Sequence, residues 1–168
     1  MFKKIAAATV LMIASATTFA AQPNTFYAGG DVGRTKSDFI PDRDTSVGAF
    51  VGYNIDQTFA VEAGYRRLLD RDYQWPDIRA NTRVNQASLS LVASMPVGES
   101  FSVYGRLGAA RLQNRFTSNE FVGKLSTTKA LYGIGAGYAF SPAVSARIEV
   151  QKAENEATNL STGLSFQF

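Results

Sequence analysis

From residue 26 to the end of the chain, apolar and small or polar side chains alternate with a period of two, and no stretch there is long enough for a spanning helix. A period of two is the repeat of an extended strand, whose successive side chains point to opposite faces. The pattern predicts eight strands. In residues 26–34, Phe26, Ala28, Gly30 and Val32 share one face against Tyr27, Gly29, Asp31 and Gly33. In residues 46–55 the apolar face is Val47, Ala49, Val51, Tyr53 and Ile55, and in residues 58–68 it is Phe59, Val61, Ala63 and Tyr65. The fourth segment sets Ala87, Leu89, Leu91, Ala93 and Met95 against Ser88, Ser90, Val92 and Ser94. In the fifth, Phe101, Val103, Leu107 and Ala109 alternate with Ser102, Tyr104, Arg106 and Gly108. In the sixth, Tyr132, Ile134, Ala136, Tyr138 and Phe140 alternate with Gly133, Gly135 and Gly137. The seventh opposes Ala146, Ile148 and Val150 to Arg147, Glu149 and Gln151. The eighth opposes Leu160, Leu164, Phe166 and Phe168 to Ser161, Gly163, Ser165 and Gln167.

The connections alternate in length. Asp56-Gln57, residues 96–100 and Ser141-Pro142 are short turns of the kind that join antiparallel neighbours. Residues 35–45, 67–84, 113–127 and 152–159 are longer, more charged, and expected to be loops. Short turns at one end and long loops at the other is the layout of an outer-membrane barrel, with the long loops outside the cell. The expected fold is all-β, an eight-stranded antiparallel up-and-down transmembrane barrel.

The N-terminal residues fit that destination. Residues 1–20, MFKKIAAATVLMIASATTFA, carry Lys3 and Lys4, then an apolar stretch, then small residues at Thr18 and Ala20. That is the order of a secretory signal peptide, expected to be cut after Ala20 or Ala21, which leaves residues 21–168 as the barrel domain. The apolar part, residues 5–16, is shorter than the ~20 residues a membrane-spanning helix needs. Removing the two lysines lowers the formal charge of +3 by two, so the basic balance is no argument for nucleic acid.

A soluble barrel can also alternate, with its apolar face lining the inside. The second face decides between them. On a soluble barrel it would meet water and be rich in Lys, Glu, Thr and Gln. Here it is mostly Gly, Ser and Ala with a few charges, which suits the cramped interior of eight strands. The apolar face also carries Phe26, Tyr53, Phe59, Phe101, Phe140, Phe166 and Phe168 near the short turns, where an interfacial aromatic girdle belongs.

Several segments together, FYAGGDVG, VGAFVGYNI, FAVEAGYR, LVASMPVGESFSVYGRLG and YGIGAGYAFSPAVSARIEVQ, with a final Phe168, make the sequence similar to the OmpA-like outer-membrane barrels. It resembles the small OmpX/Ail barrels more loosely. The resemblance covers essentially all of residues 21–168. It implies a packed polar lumen in which a Glu on the third strand pairs with an Arg on the seventh, here Glu62 and Arg147. Arg106 and Glu149 match further interior charges, and Asp31 stands where the family has a lysine. A second family pair falls on Val92 and Gly137 and is missing at both ends, so no gating role is carried over from it. The resemblance also implies that Leu164, Phe166 and Phe168 form the C-terminal signal read by the outer-membrane insertion machinery.

The expected interior charges, Asp31, Glu62 and Glu149 against Arg66, Arg106 and Arg147, sum to zero, and a narrow lumen demands that they pair. A salt-bridged core is therefore favoured over a narrow ion channel.

The chain has no histidine and no cysteine, which removes the usual metal ligands and the base of a Ser-His triad. The barrel enzymes that work on lipid A, phospholipid or peptide use a histidine, so no enzymatic activity, cofactor or metal is expected. The Gly-x-Gly repeat at Gly133, Gly135 and Gly137 lacks the βαβ setting of a nucleotide loop. The expected role is a non-enzymatic barrel that contributes to envelope integrity and contacts outer-membrane lipid and lipopolysaccharide, whose phosphates arginine forks suit. The alternative is a loop-borne adhesin or ligand-binding protein. Its candidate contacts are Arg71, Tyr73, Trp75 and Arg79, aromatic and arginine residues of the types that dominate binding surfaces.

Overall fold

The computed structural model describes residues 21–37, 40–74, 79–118, 122–153 and 157–168. Eight strands follow one another: β1 (Thr25–Ser37), β2 (Ile40–Asn54), β3 (Phe59–Gln74), β4 (Arg79–Pro96), β5 (Phe101–Ser118), β6 (Val122–Ala139), β7 (Val144–Ala153) and β8 (Ala157–Gln167). Each pairs antiparallel with its neighbour in the chain, and β1 pairs with β8, so the sheet closes on itself. The closing seam runs without a register shift from Ser37 opposite Ala157 to Tyr27 opposite Gln167. Beyond it Phe26 and Phe168 exchange both backbone hydrogen bonds, at 3.0 and 2.8 Å. Closure leaves no strand edge in the wall, as hydrocarbon requires of any sheet that crosses it.

The apolar faces point outward. Ile134, Leu89 and Phe166 are 72, 60 and 54% exposed, while Asp31, Glu62, Arg66, Arg106 and Glu149 are buried inside. Around the short-turn end, Phe26 packs on Tyr53 with ring centroids 4.9 Å apart, Phe101 on Tyr138 at 4.8 Å, and Tyr138 on Phe140 at 5.1 Å. This is an aromatic girdle of the kind that sits at a membrane interface.

The short turns are set by local side-chain bonds. Asp56 Oδ1 accepts from the backbone amides of Thr58 and Phe59, both at 2.7 Å, and Ser141 Oγ accepts from those of Ala143 and Val144. Such Asx and Ser turns substitute for a backbone bend. The first connection is therefore four residues, 55–58, rather than Asp56-Gln57 alone.

The expected long loops are a larger correction. Most of residues 35–45, 67–84, 113–127 and 152–159 continue the strands, and the connections that remain, 38–39, 75–78, 119–121 and 154–156, lie outside the described residues. The reason is solvent: above the lipid both faces of a sheet meet water, neither must be apolar, and the period-two signal fades while the backbone stays extended. A β-bulge adds to the disguise. The β3–β4 register shifts between Arg67 and Leu69, and the consecutive residues Leu68 and Leu69 are both buried, which breaks strict alternation.

Charge on the outer wall tests the orientation. Ile134→Lys is expected to cost about 2–4 kcal/mol of stability when the barrel is folded into lipid vesicles and titrated with urea, the cost of a cation on the lipid face. A water-soluble barrel would tolerate it without loss.

Candidate functional site

Six charges meet in the middle of the barrel. Glu62 on β3 accepts hydrogen bonds from Arg106 on β5 at 2.6 Å, from Arg147 on β7 at 2.7 Å and from the Tyr27 hydroxyl at 3.0 Å. Asp31 on β1 bonds Arg66 at 2.7 Å and lies 3.6 Å from Arg147. Glu149 accepts from the Tyr104 hydroxyl at 2.8 Å, and its Oε1 lies 3.1 Å from Arg106 Nε, close enough for an ion pair though off-line for a hydrogen bond. Arg147 stacks on the Phe50 ring, 3.4 Å from its centroid. Arg66 also donates to Asn159 at 2.8 Å, and Asn159 in turn reaches Thr35 and Ser46. Three acids and three arginines thus form one connected layer across the lumen.

Glycines decide which of these charges touch. Gly48 stands opposite Asp31 on one side and Arg66 on the other, so the pair closes over a position with no side chain. A Cβ at Gly48 would sit 2.9 Å from Asp31 Oδ1 and 3.0 Å from Arg66 Nε. The same three-strand row recurs. Tyr27 reaches Glu62 over Gly52, Tyr104 reaches Glu149 over Gly135, and Asp31 approaches Arg147 over Gly163. Sequence reading took these glycines as small lumen fillers; their pairing role needed the register.

Two compartments flank the ionic layer. On the short-turn side a vestibule of about 330 Å³ opens between the strand ends, walled by Ser94, Ser102 and Ser165 and floored by Glu62 and Arg147. Val92 and Gly137, where the family's second ion pair would fall, also face it. At the layer itself the free space is about 10 Å³, at the lower limit for one water. On the long-strand side Leu68, Ala110, Leu112, Leu131 and Ala153 pack into a dry cluster, all 5% exposed or less. Sequence reading did not find this cluster: Leu68 and Ala110 lie at the ends of predicted segments and Leu112, Leu131 and Ala153 just outside them, and only the register brings the five together. An apolar constriction of this kind excludes ions by staying unwetted.

The remaining sequence-derived positions fall elsewhere. Leu164, Phe166 and Phe168 lie on the outer wall of β8, exposed. Arg71, Tyr73 and Arg79 are in the upper parts of β3 and β4 with side chains outside the described residues, and Trp75 is outside them entirely. The ionic layer holds its charges without a ligand-sized space between them.

A closed, outward-greasy cylinder with an ion-paired interior defines the class of small outer-membrane barrels. The chain belongs to the family described as outer membrane protein β-barrel domain, whose model matches residues 6–168. That membership indicates a bacterial outer-membrane location. Among curated proteins none matches the sequence. Among solved structures it is similar to Ail of Yersinia pestis in complex with the heparin analogue sucrose octasulfate, at 18% identity, 86% of this chain and 97% of that one, with a TM-score of 0.62. The N-terminal barrel of Pseudomonas aeruginosa OprF gives 16% identity, 84% and 97% coverage and a TM-score of 0.64. Pseudomonas aeruginosa OprG gives 14%, 90% and 99%, and 0.58. At these identities the likeness is one of fold.

Two measurements probe the layer. Glu62→Gln removes one buried charge from between two arginines and is expected to cost about 3–5 kcal/mol in urea unfolding, yet to leave planar-bilayer current at baseline because the leucine cluster is intact. Discrete channel openings in that variant would show the ionic layer to be the sole barrier. Gly52→Ala, whose Cβ would run into the Tyr27 ring, is expected to lose about 1–3 kcal/mol by overpacking. Gly105→Ala meets nothing within 4 Å and is expected to be neutral in the same titration.

Proposed function

We propose that this protein is a non-enzymatic envelope barrel that stiffens the outer membrane by gripping its outer leaflet, rather than by conducting solutes. The observation that carries the reading is the filled waist of the lumen: a neutral six-charge layer with about 10 Å³ of free space, backed by a buried leucine cluster, leaves no room for a solute at that level. The work is then left to the outer wall. Arg34 follows Val32 on β1, Arg67 follows Tyr65 on β3, Arg111 follows Ala109 on β5, and Lys152 follows Val150 on β7, each where the apolar belt gives out. Arginine forks match phosphate bidentately, so lipopolysaccharide phosphate is the outer-leaflet partner this collar suits. Leu164, Phe166 and Phe168 are the proposed handle for the insertion machinery during assembly.

A second reading is an adhesin or ligand-binding surface protein. It is favoured by the height of β3 to β6, which carry 16 to 18 residues each against 10 and 11 in β7 and β8. Ail, of similar fold, binds a heparin analogue, which makes sulfated polysaccharide a ligand to screen.

Deleting the gene is expected to increase detergent and vancomycin entry into the cell. The wild type should restore the barrier, whereas a folded Arg34→Ser, Arg67→Ser, Arg111→Ser triple variant should not. An unchanged barrier in the deletion strain would overturn the envelope role.

A further inference from the structure

The register fixes the pitch of the wall, and the pitch fixes the height of every outward side chain. From Phe26 the row of cross-strand partners passes Leu91 on β4 and Tyr132 on β6 and returns to β1 at Lys36, ten residues higher (36 − 26 = 10). That stagger over eight strands tilts them about 40° from the barrel axis. Each residue then climbs roughly 2.5 Å along the membrane normal, and each row of partners rises roughly 3 Å per strand on the way from β1 to β8.

On this scale the outer-face cations fall into two tiers. Arg34, Arg67, Arg111 and Lys152 lie within about 5 Å of one height, which is the collar at the top of the lipid belt. Arg83, Arg115 and Lys124 form a single row higher up, with Arg83 opposite Arg115 and Arg115 opposite Lys124. That row stands roughly 8–15 Å above the collar, over the span between Arg67 and Arg111.

The face between the tiers is polar and short of acid. Asp70 accepts from Arg83 at 3.1 Å and from Arg67 at 3.4 Å. Arg115 and Lys124 have no carboxylate partner among the described residues. Like charges side by side across a ladder repel, and an anion set over the row relieves that repulsion. Just below the row, Arg67 lies opposite Asn85, Asn85 opposite Gln113, and Gln113 opposite Ser126. Amide and hydroxyl side chains both donate and accept, as sugar hydroxyls do. Above the collar on β3 to β6, none of the described outward side chains is apolar, so the face lacks the greasy centre of a protein interface.

A partner with anionic groups carried on sugars matches this face, and one is anchored in the same leaflet. The core oligosaccharide of lipopolysaccharide rises directly from lipid A, and the shared membrane holds it beside the wall at high effective concentration. We propose that the outer face of β3 to β6 is a binding site for the phosphate- and carboxylate-bearing core sugars of a lipopolysaccharide whose lipid A phosphates sit on Arg67 and Arg111. Arg83, Arg115 and Lys124 take the anionic groups of the core, and Asn85 and Gln113 bond the hydroxyls between them. The site rests on the lipopolysaccharide grip of the collar, and extends it from the lipid A phosphates to the sugars.

The test titrates the folded barrel in detergent with lipid A and, separately, with a rough lipopolysaccharide bearing a phosphorylated core, and reads binding by native mass spectrometry. The wild type should hold the core-bearing lipid at least tenfold more tightly than lipid A. Arg83→Ser, Arg115→Ser and Lys124→Ser together should erase that difference while leaving lipid A binding within twofold. Asn85→Ala with Gln113→Ala changes no charge, and should weaken the core-bearing lipid at least threefold without touching lipid A. Heat-modifiable migration on gels confirms that each variant is a closed barrel. Equal affinity of the wild type for the two lipids, or a difference that survives the triple variant, overturns the core site. So does a triple variant that loses both lipids alike, which would reduce the row to general charge. A heparin oligosaccharide that binds the row more tightly than the core-bearing lipid does would overturn the choice of partner. The collar is read separately, through the loss of lipid A itself in the Arg34→Ser, Arg67→Ser, Arg111→Ser variant. Should lipid A survive that variant while the upper triple still erases the advantage of the core, the collar would fall and the core site would stand.

Discussion

An eight-stranded cylinder is too narrow to hold solvent at its waist, so every polar group that points inward must find its partner among the other inward groups. Glu62 shows how strictly this applies. It is almost fully buried, and its carboxylate is held by two arginines and a tyrosine drawn from β1, β5 and β7. Both arginines lie within ion-pair distance of a second carboxylate, Arg106 of Glu149 and Arg147 of Asp31, and Asp31 in turn pairs with Arg66. The layer is thus a single network spread over the circumference, and breaking it at one point leaves an uncompensated buried charge. The waist of the lumen is filled by the solution to this constraint.

The same constraint explains the glycines. Two long side chains can meet only if the strand between them carries nothing at that level. Gly48, Gly52, Gly135 and Gly163 each stand in such a row. Residue size on the inner face is therefore correlated across three strands, large, none, large, rather than being uniformly small. Phe50 fits the same logic: its ring fills the space above Gly29 and carries the Arg147 guanidinium on its face.

Function follows from what is left over once the interior is closed. Among the described residues the outer wall presents a lipid belt with basic residues above it, and β7 ends below the top of β6. The first is demanded by the membrane. The basic residues and the early end of β7 are not, because neither is required for closing a barrel.

Much of this was written in the alternation of residues 26–34, 46–55 and the later segments, because within the membrane one face must be apolar and the other must fit a narrow lumen. That rule made the eight strands, their order and the inward faces legible, and with them Asp31, Glu62, Arg66, Arg106, Arg147 and Glu149 as interior charges. It did not say who pairs with whom. Arg106 joins Glu62 to Glu149, and Asp31 takes Arg66, only because particular registers bring those positions level. Nor could alternation show where the strands end, since above the lipid both faces are wet and the rule lapses. The extended hairpins lie in that region. Composition and period determined the cylinder and its faces; strand register and unequal strand height decided the network inside and the surface outside, because both depend on neighbours distant in sequence.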